Sequence, residues 1–179
     1  MKSNYSSFGT AATVAAGAIF AALVAAITYL IPISIPATQG YFNFGETIIY
    51  AAALILGPFV GTFAGGGAAI ADLLVPLAAV YAPATLVIKA VEGFTVGFLN
   101  IKLKKKINLT LSAIISVLIG GTIMIVGYFA YQVLALGFPF GAALIELPFN
   151  IVQMIVGLII AIPIMHAVFR VFPQLKSHL

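Results

Sequence analysis

The sequence predicts an all-α membrane protein, a bundle of six transmembrane helices in which the second and third are short. Three observations carry this. Of the 179 residues, 63% are hydrophobic and only 7% are charged, whereas a soluble domain keeps about a quarter of its residues charged. Residues 3–45 and 107–145 contain no Asp, Glu, Lys or Arg at all, and only lipid as the solvent accounts for such runs. Glycine and proline then cut the apolar sequence into pieces close to membrane length.

The first helix is expected over about 10–31, stopping at Pro32. Lys2 ahead of this Ala-rich stretch resembles a secretory signal, but the stretch is too long for a signal's apolar core of about 7–15 residues, so it is kept as a helix. Residues 33–45 hold Pro36, Gly40 and the polar pair Thr38-Gln39 and read as a structured loop. Two short helices follow, 46–56 and 58–74, divided at Gly57-Pro58, because glycine ends a helix well and proline starts one well. At 1.5 Å per residue the second helix is about 16 Å long, too short for a relaxed bilayer, so neighbours must shield it.

The fourth helix is expected over 82–101 and ends in Lys102-Leu103-Lys104-Lys105-Lys106. The fifth covers 109–134, and Gly137-Phe138-Pro139 makes the next turn. The sixth covers 141–169 and runs into Arg170 and Lys176. Six spans of about 20 residues leave little for anything else, so residues 1–179 are expected to form a single membrane domain. With six spans, Lys2, the lysine cluster and Arg170/Lys176 all fall on one side. Fusing the second and third helices would split them. The positive-inside rule therefore puts both termini in the cytoplasm, and the net charge of +4 reads as topology, not as a nucleic-acid groove.

Ionisable side chains inside a bilayer are costly and mark sites or internal pairs. All four acidic residues, Glu46, Asp72, Glu92 and Glu146, lie in membrane segments, and Lys89 is the basic residue that joins them. Thr85, Lys89 and Glu92 share one face of the fourth helix, with i, i+4, i+7 spacing; Glu146, Asn150 and Gln153 do the same on the sixth. Two polar stripes near the outer surface can line one pocket for a small polar ligand. The plainer readings are that Lys89 and Glu92 neutralise each other and that Asn150 and Gln153 bond between helices.

The loop Gln39-Gly40-Tyr41-Phe42-Asn43-Phe44-Gly45-Glu46 can fold over such a pocket, with Tyr41, Phe42 or Phe44 stacking on a flat ring. The alternative is an interfacial aromatic belt, with Asn43 as a helix cap. Gly57, Gly61 and Gly65 repeat at four-residue spacing and read as internal packing. Ala18, Ala22 and Ala26, with Ala11 and Ala15 before them, form a similar stripe that suits a docking face for another membrane protein.

Several chemistries lack their residues. Cysteine is absent, which removes disulfides and thiol nucleophiles. No glycine-rich loop is followed by Lys-Ser or Lys-Thr, so the chain has no phosphate loop. His166 and His178 stand alone without metal-ligand spacing, and no Ser–His–Asp set is evident. An enzyme is not expected.

The run Asn43-Phe44-Gly45-Glu46, then Gly57-Pro58-Phe59-Val60-Gly61 leading to Ala71-Asp72-Leu73-Leu74, then Tyr81-Ala82-Pro83 with Lys89 and Glu92-Gly93, resembles the S components of energy-coupling factor (ECF) transporters. The likeness is to the riboflavin, hydroxymethylpyrimidine and pyridoxine subgroup, and Glu146, Pro148, Asn150 and Gln153 continue it. It covers about residues 10–169. The resemblance implies a six-helix vitamin-capture subunit in the bacterial cytoplasmic membrane. Its outward pocket would be capped by the loop after the first helix. It would dock through small residues of that helix onto a T component driven by two ATPases. The chain itself would bind no cofactor and no metal, and ATP would be used by the partners.

Carried over by position, the resemblance assigns Tyr41, Asn43, Glu46, Lys89, Glu92, Glu146, Asn150 and Gln153 to the substrate and Ala11, Ala15, Ala18 and Ala22 to docking. Thiamine-type members lean on tryptophan stacking, and this chain has no Trp. The alternatives are a self-sufficient secondary transporter, for which no inverted repeat is evident, and a small membrane enzyme using the buried carboxylates.

Overall fold

The computed structural model of the protein describes residues 9–35, 40–76 and 78–178. Lys2, Pro36, Thr38 and Gln39, which carried topological and loop expectations, lie outside these. The helices are α1 (Thr10–Leu30), α2 (Gly45–Leu56), α3 (Pro58–Leu74), α4 (Ala82–Leu103), α5 (Leu109–Leu134), α6 (Phe140–Val171) and α7 (Pro173–His178). Between α1 and α2 stand two short strands, β1 (Ile33–Ile35) and β2 (Gly40–Phe42), paired antiparallel with Ser34 opposite Tyr41. A single 3-10 turn, Ala79–Tyr81, leads into α4.

This corrects an all-helical expectation in two places. The structured loop contains a hairpin, and its Ile33-Ser34-Ile35 run is β-branched at either end, the composition that favours a strand. A further helix, α7, begins at Pro173, where the fixed φ of proline suits a first turn. Elsewhere the chain signals hold. Gly57 takes φ +92° between α2 and α3 and Pro58 opens α3. Gly137 takes φ +69° before Pro139. Asn108 caps α5 by accepting from the Leu111 N–H at 2.8 Å.

Four helices, α1, α4 with its preceding 3-10 turn, α5 and α6, are long and apolar enough to cross a membrane. At 32 residues, α6 is about 48 Å long and exceeds a hydrocarbon core of about 30 Å. The shorter α2 and α3 are apolar as well. Large apolar side chains, among them Ile19, Leu23, Phe63, Val87, Val126 and Ile159, point outward along the helices. In a multi-pass membrane protein that exterior faces lipid.

α2 is the centre of the bundle. It contacts α1, α3, α4 and α6, and all of it except Ile48 and Leu56 is buried, as a short, uniformly apolar helix requires. α3 lies between α1 and α4, and α5 between α4 and α6. The tightest of these pairings is α3 on α4. A Cβ added at Gly61 or Gly65 would collide with the backbone of Gly93 or Lys89, and one added at Gly93 would strike Gly61. With no side chains between them the two backbones touch, as small-residue seams in membranes allow. The expectation of internal packing for Gly57, Gly61 and Gly65 thus gains its partners on α4: Gly97 against Gly57, Gly93 against Gly61 and Lys89 against Gly65.

Charge is segregated along the bundle. Lys102 lies in the last turn of α4 and Lys104–Lys106 follow it, and the Lys104 Nζ donates to the Lys176 carbonyl at 3.3 Å, so the α4 end and α7 share one end of the molecule. The acidic residues and Lys89 gather at the opposite end.

Gly65→Ala is expected to lower the unfolding temperature in detergent, because its Cβ meets the Lys89 backbone and overpacking of this kind costs about 1–3 kcal/mol. Gly66→Ala, whose Cβ would find Leu86 Cδ1 at an ordinary 3.6 Å, is expected to leave it unchanged. Equal unfolding temperatures for the two variants would contradict backbone contact at the α3–α4 seam.

Candidate binding cavity

The end away from the lysines holds a narrow open cleft, with about 40 Å³ accessible to water. Every helix from α1 to α6 contributes to its wall: Thr28 from α1, Glu46 and Ile49 from α2, Ala68 and Asp72 from α3, Thr85 and Lys89 from α4, Tyr128 from α5, and Glu146, Asn150 and Gln153 from α6. The hairpin and its exit add Tyr41 and Asn43.

At its base lies a buried ionic cluster. Lys89 is 3% exposed, Glu46 1% and Glu92 0%. The Lys89 ammonium is paired with Glu46 Oε1, stands 3.2 Å from Glu92 Oε2, and lies 5.4 Å from the centre of the Tyr128 ring. A charge taken out of water survives only if paired and hydrogen-bonded, and the surrounding helices supply those bonds. Tyr50 Oη donates to Glu92 Oε1 at 2.7 Å. Gln153 Nε2 donates to Glu46 Oε1 at 3.0 Å. Tyr128 Oη donates to Thr85 Oγ1 at 2.9 Å.

The hairpin is tied to the cavity from the middle of β2 and from the residue that follows it. Tyr41 Oη donates to Asp72 Oδ1 at 2.5 Å. Burial, and after it the Asp72 carboxylate, holds this phenol far above its ordinary pKa, so it stays protonated and remains a donor. The Asn43 N–H donates to Gln153 Oε1 at 2.9 Å. Asn43 Oδ1 accepts from the Gly45 N–H at 2.8 Å and from Thr28 Oγ1 at 3.2 Å. The N-cap of α2 is Phe44, not Asn43; Asn43 stands one residue earlier and joins α1, the hairpin and α2, and through Gln153 it reaches α6.

Of the eight residues that the sequence assigned to a substrate, Tyr41, Asn43, Glu46, Lys89, Glu146, Asn150 and Gln153 line the cleft. Glu92 does not; it stands behind Lys89 as a counter-charge. The pairing expected between Lys89 and Glu92 exists, but Glu46, from another helix, shares the ammonium. Phe42 and Phe44 pack edge-to-face with each other, centroids 5.4 Å apart, and neither lines the cleft. Ala11, Ala15, Ala18 and Ala22 are all exposed on α1, while Gly17, Val24 and Thr28 form its buried side.

Sequence reading named Tyr81 only within a family motif and passed over Tyr50, Tyr128 and Gln132. Gln132 is 1% exposed and its Nε2 donates to Glu146 Oε2 at 2.5 Å and to Tyr81 Oη at 3.2 Å. Tyr128 and Gln132, four residues apart in a charge-free run, form the same kind of polar stripe that singled out α4 and α6, and that spacing was the available signal.

Residues 9–170 match the family model described as "ECF-type riboflavin transporter, S component". The chain belongs to that family. Its members are substrate-binding membrane components of transporters, not enzymes. An uncharacterized protein of Pyrococcus woesei, described as lying in the gap 3′ region, is 40% identical over 139 residues, 76% of this chain and 88% of the relative. The structure titled "Structure and mechanism of the S component of a bacterial ECF transporter" shares 18% identity, with a TM-score of 0.64 over 92% of this chain and 99% of the other. At that identity the likeness speaks for the fold of this S component.

Lys89→Ala would leave Glu46 and Glu92 buried with no cation between them. Breaking a buried pair in this way costs about 3–5 kcal/mol, so the variant is expected to unfold well below the parent in detergent. Adding Glu92→Gln should recover part of the loss. A Lys89→Ala protein as stable as the parent would show that the cluster does not hold the bundle together.

Proposed function

We propose that this S component is the high-affinity capture subunit of an ATP-driven ECF importer for a water-soluble vitamin or precursor, with hydroxymethylpyrimidine, pyridoxine and riboflavin favoured. The observation that carries this reading is the polar cleft: it draws on six helices and the hairpin and lies at the end opposite the lysine cluster. The rings of Tyr41, Tyr81 and Tyr128 in its wall suit a flat heteroaromatic compound. Tyr41, Asn43, Glu46, Lys89, Glu146, Asn150 and Gln153 are the proposed contacts, with Glu92 supporting Lys89 from behind.

In the proposed topology all six helices from α1 to α6 count as membrane passages, with α2 and α3 shielded by the others. Lys102, Lys104–Lys106, Arg170 and Lys176 then face the cytoplasm together with both termini, and the cleft opens outward in the cytoplasmic membrane. Release inside requires work that a chain without a phosphate loop obtains from partners, a T component and two ATPases. The exposed stripe Ala11, Ala15, Ala18 and Ala22 is the proposed docking face for the T component, since small residues let another helix approach closely.

Isothermal calorimetry of the detergent-purified chain against riboflavin, pyridoxine, hydroxymethylpyrimidine, pantothenate, folate and thiamine is expected to give one-to-one binding of one compound with no partner present. Binding of none would count against vitamin capture. Ala18→Leu and Ala22→Leu are expected to leave that affinity intact and to block uptake by the full complex. Normal uptake in both variants would remove α1 from the docking face, and uptake by the chain alone in liposomes would favour a secondary transporter.

A further inference from the structure

All four acidic side chains sit in or behind the cleft: Glu46, Asp72 and Glu146 line it, and Glu92 pairs with Lys89. The opposite end carries Lys102, Lys104, Lys105, Lys106, Arg170 and Lys176. No side-chain carboxylate among the described residues stands there to balance them. The imbalance is felt locally. Lys104 is held below the usual lysine range, first by burial and then by the charges of Lys105 and Lys176. Its ammonium donates to the neutral Lys176 carbonyl, which relieves none of that repulsion. Lys102, Lys105 and Lys106 are exposed around the same turn. A cationic group of this kind, placed where a spanning helix ends, attracts anionic headgroups.

Charge alone is generic, but the aromatic surface beneath it is not. The Lys102 Nζ lies over the Phe98 ring, 4.2 Å from its centre. Phe94, one turn further from the lysines, stacks on Phe98 with centroids 5.7 Å apart and planes 16° apart. Phe59 of α3 meets Phe94 edge-on at 6.2 Å. Phe94, Phe98 and Lys102 recur at four-residue spacing and so follow one face of α4, a rail of about 12 Å. Phe59 is 48% exposed and Phe94 38%, on the exterior that faces lipid. An acidic protein loop would need only the lysines. A phospholipid needs what stands here, a cation at the surface with an apolar track leading inward from it.

We propose that the lysine end of α4 seats an anionic phospholipid. Lys102, with Lys105 and Lys106 from the following turn, takes the headgroup phosphate, and one acyl chain lies along Phe98, Phe94 and Phe59. The Phe98 ring keeps the Lys102 ammonium at the top of the rail, since a cation is drawn to a ring face. An ammonium has three N–H donors, so those turned from the ring serve phosphate oxygens. The lysines then supply a defined lipid contact in addition to setting topology. This seat is on the outer wall of the bundle, and it stands whether or not the cleft captures a vitamin.

The test uses the full-length chain, delipidated in detergent, and native mass spectrometry to count bound lipid. Phosphatidylglycerol and phosphatidylcholine with the same acyl chains are titrated in turn. Phosphatidylglycerol is expected to bind at least tenfold more tightly. Lys102→Gln and Phe98→Ala should each weaken it at least fivefold, whereas Arg170→Gln, at the same end but on α6, should change it less than twofold. Glycerol 3-phosphate, which has the phosphate and no acyl chain, should fail to displace it at tenfold excess. Equal binding of the two lipids would overturn the proposal and leave the lysines to topology alone. Equal losses in Arg170→Gln and Lys102→Gln would overturn it in favour of diffuse charge attraction. Displacement by glycerol 3-phosphate would overturn it in favour of a plain phosphate site. The lipid comparison and the displacement use the unmodified protein, so neither depends on a variant folding.

Discussion

A single ammonium, that of Lys89, sits at the base of the cleft with almost no access to water, and much of the surrounding architecture serves to keep it there. One carboxylate would neutralise it; the protein uses two, from Glu46 and Glu92. Each of these must in turn be satisfied, which calls on Tyr50 of α2 and Gln153 of α6. A buried ion pair contributes little net stability, because desolvation offsets the attraction. What it does is fix geometry: α2, α4 and α6 cannot slide past one another without exposing an unpaired charge to hydrocarbon. A preformed cleft at the end of the bundle is the consequence, and preorganisation of this kind lowers the ordering cost of ligand binding.

The cluster depends on backbones approaching more closely than most side chains allow. Gly65 on α3 packs directly on the carbonyl of Lys89, and Gly61 meets Gly93 one turn further along. Gly157 of α6 leaves room for the Tyr50 ring and for Glu46. Lipid offers no hydrophobic drive for helices to associate, so close packing and interhelical hydrogen bonds must supply it. The glycine seams and the polar cluster are therefore two parts of one device: the seams bring α2, α3 and α4 together, and the polar groups hold them in register.

Function follows from how the two ends of the bundle differ. One end carries the lysines; the other carries the cleft and the β1–β2 hairpin, tied down by Tyr41 on Asp72 and by Asn43 on Gln153. Both ties connect the hairpin to residues of the wall. The hairpin thus completes the polar lining of the cleft. The membership of the chain among ECF S components gives this polarity its meaning, since a substrate-binding subunit must take its ligand at one end and be acted on by other proteins elsewhere.

Composition alone determined that the chain belongs in a membrane, because a sequence with 7% charged residues cannot be solvated by water over most of its length. Proline and glycine placed helix boundaries, since Gly57, Pro58 and Gly137 act through local backbone preferences that need no partner. The polar stripes on α4 and α6 were legible for the same reason: helical periodicity is local. The hairpin, α7 and the roles of Tyr50, Tyr128 and Gln132 were not read, because strands as short as β1 and β2 acquire meaning only when paired, and a buried tyrosine looks like any other aromatic until its hydroxyl finds a partner. Only the tertiary structure decided that Lys89 belongs to Glu46 as much as to Glu92, that Glu92 stands behind the cleft wall, and that Gln153 reaches Glu46. Those are relations between residues 43 positions apart or more in the case of Lys89 with Glu46 and of Glu46 with Gln153, and sequence spacing carries no information about which distant helix will lie alongside.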